Sequence, residues 1–425
     1  MNLCDLSVLV VRNVEMKKYG IEKIRVYPAA LQLNLEELAI ARNYDVEHMR
    51  KELMVETRSV NPPWEDTVTM AVNAAKPMLT KEDIDSIGLL IVGTETSLDN
   101  EKSVSSWVLH HLGLPSACRH FEVKIACYSG TAALKMAVSW LSSGMARKGQ
   151  KALIISTDES LNSIHRPWEY VCGGGSVAML VSDQPEFLVL ETEKFGLYAH
   201  EVADVIRPLP WLETGNSEHS LYSYMEALAA TYEDFELNVG NIDYDSYFKY
   251  HIYHVPFSGI SFRAHKQLIR MSSFDVTDEA ITESWKNKVS PSINFSKRIG
   301  GTYGGSIFIA LLSTITAADN LHPDDRISVF SYGSGSCAEF YVMQTTAKSK
   351  EIALGTGLTD IINNRYSISV AQYEAMELAR EERIKSKEFS PDYNMVPGLY
   401  DAAYKGKGLL VYTGTKDYYR SYNFS

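Results

Sequence analysis

The chain has 425 residues, of which 41 are Lys or Arg and 53 are Asp or Glu, so its formal net charge is −12. This length allows about two to four domains or two fused pseudo-repeats, and hydrophobic and charged fractions of 45% and 22% exclude wholesale disorder. The negative charge and the lack of a long basic run argue against nucleic acid as the main partner, because phosphate binding needs concentrated Lys and Arg.

The sequence shows no membrane or secretory signal. Its apolar runs are shorter than the ~18–20 residues of a membrane-spanning helix, and the opening segment has an acidic residue and no basic stretch before its short apolar run. The five cysteines are scattered and form no Cys-x-x-Cys pair, which argues against a disulfide framework or a zinc site. We therefore expect a reduced, cytoplasmic protein whose residues 1–15 are an appendage.

The first half alternates apolar strand-like runs with amphipathic stretches, which is typical of an α/β domain. In chain order, the predicted elements are a strand from Gly20, a buried strand over 86–95, a short strand over 121–126, a helix over 127–144, a buried strand over 151–160 and a hairpin over 173–191. The hairpin is expected to turn at 182–185, because Ser-Asp-Gln-Pro is typical of a turn.

The second half repeats this order. Residues 292–320 again lead through a glycine-rich entry into an apolar helix, and residues 326–346 form a hairpin with Gly-Ser-Gly-Ser at its turn. Two half-chains of like order indicate an internal duplication that has diverged beyond sequence identity. The predicted division has four parts: an appendage over residues 1–15, an N-terminal half over 16–191, an insertion rich in Tyr, Trp and acidic residues over 192–245, and a C-terminal half over 246–425.

Cys127 is the first candidate for chemistry, because it ends a strand and starts the helix predicted over 127–144. The free N–H groups and the dipole at a helix N-terminus stabilise a thiolate, so we expect the pKa of this thiol to be below its usual value. The small residues that follow allow a substrate arm to come close. From position alone, a buried structural cysteine is an equally good interpretation.

Glu95 and His254 are candidates at other strand ends. Glu95 leaves a very apolar strand, which raises the pKa of a carboxyl group toward the proton-transfer range, although a capping role also explains the position. His254 precedes Val-Pro, which cannot continue a helix, so we expect it to point into a loop. A lone histidine is more often structural, and we expect that role for His251. Asp158 also ends a strand and is expected to support the site or cap a helix.

Together these residues supply a thiol nucleophile, a histidine that binds an oxygen and a carboxylate that moves protons, each at a strand end of one duplicated fold. That combination suits carbon–carbon bond formation on thioesters. The sequence contains no His, Asp and Glu cluster with the spacing of metal ligands, so no metal is expected.

Four motifs carry a specific resemblance to a known family. IACYSGTAAL around Cys127, VGTE ending at Glu95, YHVPF with His254 and FSYGSG over 330–335 resemble the 3-hydroxy-3-methylglutaryl (HMG)-CoA synthase family of the thiolase fold. The motifs occur in the family's order and spacing from about residue 20 to residue 345, so the resemblance covers most of the chain.

The resemblance implies a five-layer αβαβα architecture of two duplicated halves, and a homodimer. It implies Cys127 as the acetyl-carrying nucleophile, Glu95 as general acid and base, and His254 as the group that holds the acceptor's carbonyl. The supporting positions are Asp158, Asp204 and Ser336. Backbone N–H groups at Cys127 and in the turn over 333–336 are natural oxyanion donors.

Two subfamilies compete within this resemblance. One makes the mevalonate precursor from CoA thioesters, and the other adds an acetate-derived carbon to the β-keto group of a polyketide on an acyl carrier protein. CYSGTA around Cys127 and the segment over 207–228 resemble the polyketide type. The CoA-using members carry Lys five residues after the histidine, where this chain has Gly259, and loss of that cation weakens binding of anionic CoA.

A helix predicted over 261–270 supplies cations that suit an acidic carrier protein. Arg263, Lys266 and Arg270, with His265 beside them, are expected to meet the carrier surface and its phosphopantetheine phosphate, unless they form only a solvated helix face. In this interpretation the phosphopantetheine arm carries the substrate, no cofactor is bound, and donor and acceptor carrier proteins are the partners.

One position departs from the family pattern. The family usually has Asn, which bonds the acceptor thioester, where this chain has Gly301, and a backbone N–H group or a water is expected to replace that amide. The alternatives are the mevalonate-pathway synthase, which uses acetyl-CoA and acetoacetyl-CoA, and a non-catalytic carrier-binding scaffold. The Glu95 motif disfavours a decarboxylating ketoacyl synthase.

Overall fold

The computed structural model describes residues 17–160, 163–273 and 275–425, so the predicted appendage lies outside the described residues. Its strands are β1 (Gly20–Tyr27), β2 (Leu31–Asn34), β3 (Thr57–Val60), β4 (Ile87–Gly93), β5 (Arg119–Val123), β6 (Lys151–Asp158), β7 (Gly175–Ser182), β8 (Leu188–Ala199), β9 (Val205–Leu209), β10 (Leu212–Gly215), β11 (Tyr250–Tyr253), β12 (Arg326–Gly333), β13 (Cys337–Thr345), β14 (Tyr366–Ile368), β15 (Leu410–Lys416) and β16 (Tyr419–Phe424).

Its helices are α1 (Leu35–Ala41), α2 (Val46–His48), α3 (Thr67–Ala75), α4 (Lys81–Ser86), α5 (Val104–Leu112), α6 (Ser129–Ser142), α7 (Ser217–Val239), α8 (Tyr244–Tyr247), α9 (Ile260–Ser272), α10 (Asp278–Lys288), α11 (Ser296–Ile299), α12 (Ser306–Ala317), α13 (Ser349–Gly355), α14 (Leu358–Asn363), α15 (Val370–Lys385) and α16 (Leu399–Ala403). Among the described residues, every helix is too short or too polar to span a bilayer.

One large sheet runs through the molecule in the strand order β11-β12-β13-β8-β1-β7-β6-β4-β5. Its two halves repeat the same pairing, since β1, β7, β6 and β4 correspond to β8, β13, β12 and β11 in order and in parallel or antiparallel sense. The halves join where Gly20 and Ile21 of β1 pair with Val189 and Leu188 of β8. The predicted duplication is therefore visible in the strand order.

Three apolar clusters separate the elements into five alternating layers. Helices α6 and α12 lie between the two half-sheets and share a core with strands of both. Helices α3 and α5 cover the outer face of the first half-sheet, and α7 and α9 cover the outer face of the second. Burial on both faces explains why β4 and β7 are buried over their whole length instead of alternating.

The two central helices approach each other at glycines. A Cβ atom on Gly130 of α6 would lie 2.4 Å from the carbonyl oxygen of Gly304, just before α12. This contact explains the small residues that follow Cys127, because backbone of the other half occupies the space of a side chain. Helix α6 starts at Ser129, so Cys127 lies just outside the helix that was predicted to begin with it.

The predicted hairpin over 173–191 is wrong, whereas the one over 326–346 is confirmed by β12 and β13. Strands β7 and β8 occupy the first segment and the chain turns between them, but β1 lies between these two strands and pairs with both. On its other side, β7 is the antiparallel partner of β6. A turn sequence predicts a change of direction, but which strand fills the neighbouring position is decided by the distant β1.

Residues 192–245, predicted as an insertion, contain the end of β8, the two-stranded hairpin of β9 and β10, helix α7 and the first two residues of α8. The hairpin register shifts between Leu212 and Thr214. Such a shift twists a ribbon and turns one side chain toward a new neighbour. In this protein the affected side chain is that of Glu213, which enters the cavity described next.

Candidate active site

A cavity of about 700 Å³ is lined by residues of both halves, including the predicted catalytic residues Cys127, Glu95 and His254. Glu95 follows β4, Cys127 precedes α6 and His254 follows β11. These strand ends converge because β4 and β11 occupy equivalent places in the two half-sheets, with α6 between them. Within the described residues, no group of three or more His, Cys, Asp or Glu side chains is arranged to hold a metal ion.

Cys127 and Glu95 contact each other directly in the cavity. The Cys127 thiol donates to Glu95 Oε2, with 3.5 Å between sulfur and oxygen. Burial, followed by the charges of Glu95 and Asp158, raises the pKa of Cys127 well above its usual value. The predicted low pKa is therefore wrong for the resting protein, because burial beside carboxylates outweighs the helix dipole. The thiol needs a base, and Glu95 is in contact with it.

Burial also raises the pKa of Glu95, as its place at the end of an apolar strand predicts. The neighbouring Asp158 carboxylate acts in the same direction, because two negative charges close together disfavour ionisation. Arg207 opposes this shift. Glu95 is thus a carboxyl group whose protonation changes nearer to neutral pH than that of an exposed glutamate.

Asp158 holds the loop that carries Glu95. Its Oδ1 accepts hydrogen bonds of 2.8–3.1 Å from the backbone N–H groups of Glu95 and Thr96 and from the hydroxyls of Thr94 and Thr96. Its Oδ2 is buried and has no partner among the described residues. These contacts suit the supporting place that the resemblance implies for Asp158, since they determine where the Glu95 backbone lies.

His254 is buried at the end of β11, with 2% of its surface exposed. Its backbone N–H donates to the Phe330 carbonyl and its carbonyl accepts from the Tyr224 hydroxyl, both at 2.8 Å, while its Nδ1 has no partner among the described residues. Burial lowers the pKa of His254 to about 4, so the imidazole is neutral near pH 7 and is available to a substrate oxygen. By contrast, His251 Nδ1 lies 2.8 Å from Ser328 Oγ, as a structural histidine should.

Asp204 and Ser336 organise the turn between β12 and β13. Asp204 Oδ1 accepts from the Gly335 N–H at 3.1 Å, and its Oδ2 accepts from the Tyr332 hydroxyl at 2.9 Å. The Ser336 hydroxyl donates to a backbone carbonyl just after β8 at 3.1 Å. Both residues therefore hold the turn in place, and Ser334, two positions before Ser336, is the serine of this turn that lines the cavity.

Two charged residues that sequence analysis missed enter the cavity from the hairpin of β9 and β10. Arg207 Nη2 lies 3.6 Å from Glu95 Oε1, and Arg207 also pairs with Glu213 across the hairpin. The sequence signal was an Arg and a Glu on either side of Pro-Leu-Pro-Trp-Leu. These two residues indicate an ion pair only when β9 and β10 are known to pair with each other, and the sequence did not predict that pairing.

Gly259 and Gly301 lie where a side chain is obstructed. A Cβ atom on Gly259 would be 1.7 Å from the Glu52 carbonyl oxygen, so this backbone leaves no room for a lysine. A Cβ atom on Gly301 would be 3.1 Å from the Pro256 carbonyl oxygen. The Gly301 N–H donates to the Val171 carbonyl at 2.7 Å, so it is not free to replace the family's Asn side chain.

The predicted carrier-binding residues do not line the cavity and lie on the outer side of α9, at Arg263, Lys266 and Arg270. Lys266 and Arg270 both pair with Asp278, whereas Arg263 is 55% exposed and its guanidinium lies 3.8 Å from a Glu52 carboxylate oxygen. Helix α9 starts at the cavity with Ile260, so Arg263 lies about one turn from the cavity, and Lys266 and Arg270 lie farther along the helix. The prediction that His265 joins them is wrong, because His265 is fully buried.

The chain matches two family models, hydroxymethylglutaryl-coenzyme A synthase N terminal over residues 15–185 and the corresponding C terminal model over residues 272–405. It is similar to the polyketide biosynthesis 3-hydroxy-3-methylglutaryl-ACP synthase PksG of Bacillus subtilis strain 168, with 34% identity over 96% of this chain and 100% of PksG. It is also similar to the hydroxymethylglutaryl-CoA synthase of Enterococcus faecalis, with 32% identity over 84% of this chain and 91% of that relative.

Among solved structures, the HMG synthase of the curacin biosynthetic pathway matches with a TM-score of 0.91 and 36% identity, covering 96% of this chain and 100% of that one. The same synthase has been solved in complex with a holo donor-ACP. Fold and cavity thus define a condensing enzyme with the thiolase-like five-layer fold. The chain belongs to the hydroxymethylglutaryl-CoA synthase family and is an acyltransferase that forms carbon–carbon bonds, which confirms the predicted fold class and family.

Proposed function

We propose that this protein is an HMG-ACP synthase of polyketide β-branching, which transfers acetyl from a donor acyl carrier protein to the β-ketone of an acceptor chain. The observation that carries the proposal is the shared cavity of the Cys127 thiol, the Glu95 carboxylate and the His254 imidazole, with thiol and carboxylate 3.5 Å apart. The similarity to PksG and to the curacin synthase supports the polyketide substrate class.

In the first step, Cys127 takes the acetyl group. Glu95 accepts the thiol proton, the sulfur attacks the thioester carbonyl of the donor, and the carrier thiol leaves with a proton. Because burial raises the pKa of Cys127, this step depends on the base that contacts it. The proposed donors to the tetrahedral oxyanion are the backbone N–H groups of Cys127 and, in the turn over 333–336, of Ser334, because those of Gly335 and Ser336 already donate to Asp204 and His200.

In the second step, Glu95, ionised again, removes a proton from the acetyl methyl group. The enolate carbon attacks the β-ketone, whose oxygen accepts a hydrogen bond from neutral His254 and takes up the proton that Glu95 removed, so that a tertiary alcohol forms and Glu95 is ionised again. Water then cleaves the thioester to Cys127. The product remains on its carrier protein with a new carboxymethyl branch, and the enzyme regains its free thiol.

A carrier protein, and not free CoA, is the proposed donor. The obstruction at Gly259 excludes the lysine that CoA-using members carry, and the exposed cation of Arg263 suits an acidic surface beside the cavity. The phosphopantetheine arm of the carrier is the substrate carrier in this proposal, and no cofactor stays bound. An acceptor carrier protein, a homodimer and a cytoplasmic location belong to the same proposal.

Loading of Cys127 from acetyl-carrier protein and from acetyl-CoA at equal concentration tests this assignment. We expect mass spectrometry to show much faster loading from the carrier protein. Arg263→Glu should slow carrier loading about fivefold, since an exposed charge pair contributes little, and should leave the slow reaction with acetyl-CoA unchanged. The matched control is Arg147→Glu, because Arg147 is exposed and lies before β6, at the opposite end of that strand from Asp158.

Other outcomes of the same experiment point to the alternatives. Equal or faster loading from acetyl-CoA would favour a synthase of the mevalonate type. The similarity to the hydroxymethylglutaryl-CoA synthase of Enterococcus faecalis is consistent with that alternative. Absence of acetyl-Cys127 with either donor, in a protein that still binds carrier, would favour the scaffold.

A further inference from the structure

Two different groups contact the two oxygens of the Glu95 carboxylate. Cys127 Sγ lies 3.5 Å from Oε2, and Arg207 Nη2 lies 3.6 Å from Oε1. The same Nη2 also pairs with Glu213 Oε2. The Glu95, Arg207 and Glu213 side chains are only 16%, 13% and 9% exposed, so water screens their charges weakly.

Cys172 and Tyr303 also line the cavity and interact with Glu95, but both are neutral near pH 7 because burial raises their pKa values. The other titratable groups that face Glu95 come from three elements. Asp158 lies at the end of β6, Cys127 lies before α6, and Arg207 and Glu213 lie on the hairpin of β9 and β10. Asp158 and Glu213 raise the pKa of Glu95, whereas Arg207 lowers it. A buried carboxylate with two anionic neighbours needs this cation if it is to be ionised near neutral pH.

Arg207 is hydrogen-bonded through Nη2 to Glu213 Oε2 and makes a second, longer contact with Glu95 Oε1. Its contact with Glu95 is longer than a hydrogen bond, and its Nε and Nη1 are buried without a partner among the described residues. The guanidinium is therefore shared between Glu95 and Glu213. A change in the charge of Glu213 alters how much of the Arg207 charge Glu95 experiences.

We propose that Arg207 is a positioning residue that widens the pH range in which the Glu95 carboxylate is ionised and can act as a base, and that Glu213 limits this effect by sharing the same guanidinium. The proposal rests on the role of Glu95 in the proposed function. It makes the hairpin of β9 and β10 the element that sets the pH range in which the enzyme forms its enolate.

Substitution of Arg207 and substitution of Glu213 should shift the titration midpoint of Glu95 in opposite directions, and a titration of Glu95 itself detects both shifts. Infrared spectroscopy follows the carbonyl band of the protonated carboxyl group, which Glu95→Gln identifies by its loss. Removal of the cation in Arg207→Gln should raise the midpoint by about one pH unit or more, and removal of the anion in Glu213→Gln should lower it. Arg207→Lys should restore most of the shift, and Arg147→Gln should cause none.

A second readout separates this proposal from the proposed function. Exchange of deuterium into the methyl group of acetyl-Cys127 requires ionised Glu95, so the exchange rate rises with pH as Glu95 ionises. We expect this rise to occur at higher pH in Arg207→Gln and at lower pH in Glu213→Gln. If the Glu95 titration midpoints move as expected but no deuterium exchange occurs, the effect of Arg207 and Glu213 on Glu95 is supported, and the proposal that Glu95 is the enolising base is contradicted.

Two results would overturn the charge pair. One is an activity loss at every pH with unchanged Glu95 midpoints, which is the mark of a merely structural role. The other is a higher KM for the acceptor with unchanged midpoints, which would mean that Arg207 binds substrate. If Arg207→Gln does not fold, the near-isosteric Glu213→Gln still decides the question, because its midpoint must fall.

Discussion

Cys127 and Glu95 share a buried site in which neither acid ionises easily. A helix dipole stabilises a thiolate by roughly 0.3–1 kcal/mol, whereas burial shifts a pKa by up to about 3–5 units when it is complete, at about 1.4 kcal/mol each. Cys127 and Glu95 are mostly but not completely buried, so their shifts are a part of that range. Burial therefore outweighs the dipole, and raises the pKa of both groups. The resting site keeps a proton between sulfur and carboxylate, ready for transfer when a thioester carbonyl enters.

Replacement of Glu95 separates the two chemical steps. Glu95→Gln keeps the size of the side chain but cannot accept a proton, so the proposed enolate should not form. It also removes a negative charge beside Cys127, which lowers the pKa of the thiol and allows solvent to generate some thiolate. We expect acetyl-Cys127 to form, more slowly at neutral pH, while branch formation falls by at least about 100-fold.

Mass spectrometry of the acetylated protein and of the product chain measures the two steps separately. A Glu95→Gln variant that forms the branch at a normal rate would exclude Glu95 as the base. Loss of acetylation at every pH, with an unchanged unfolding temperature, would show that the base is needed for the thiol and that the steps share it.

At the scale of elements, the central helices determine how closely the two halves approach. A Cβ atom at Gly130 would meet the Gly304 carbonyl oxygen at 2.4 Å and Ser156 Oγ at 2.7 Å. Gly130 is the second residue of α6 and follows Cys127 by three positions. The glycine is thus part of the packing that sets where the thiol stands relative to Glu95.

We expect Gly130→Ala to lower the free energy of unfolding by about 1–3 kcal/mol, because an extra methyl group forces the packed layers apart. Urea denaturation measures this loss. Gly355→Ala is the matched control, since a Cβ atom at Gly355 meets no heavy atom within 4 Å among the described residues, and its effect should stay within about 0.5 kcal/mol. Equal effects of the two substitutions would contradict the close approach.

At the scale of the whole molecule, strand β5 ends the large sheet and pairs only with β4 among the described residues. An open strand edge invites pairing with another chain. The homodimer implied by the family resemblance would cover such an edge, because two copies related by a twofold axis present the same strand to each other.

Light scattering should therefore give a mass twice the 47.6 kDa of one chain. Hydrogen exchange provides the second measurement, since pairing protects backbone N–H groups that face the partner. We expect the amides of β5 to be protected in the dimer and to lose that protection when dilution separates the chains. A monomer at micromolar concentration, with rapidly exchanging β5 amides, would contradict this assembly.

The sequence by itself determined the family, the duplicated α/β architecture and the three residues that line the cavity from strand ends, Cys127, Glu95 and His254. Each of these features is carried by a local motif or by the order of elements, which a single segment of chain contains. The turn residues between β7 and β8 were equally readable. The pairing of β7 and β8 was not readable, because β1, which lies between them, comes from the start of the chain.

Only the tertiary structure decided the electrostatics of the site. The direction of the Cys127 pKa, the contact of Arg207 with Glu95 and the obstruction at Gly259 all depend on atoms that folding brings together from distant segments. Burial and charge act through space, and two charges interact more strongly where water is excluded. Spacing along the chain does not encode the distances between those atoms, so a motif identifies the reacting groups while the packed halves set their protonation.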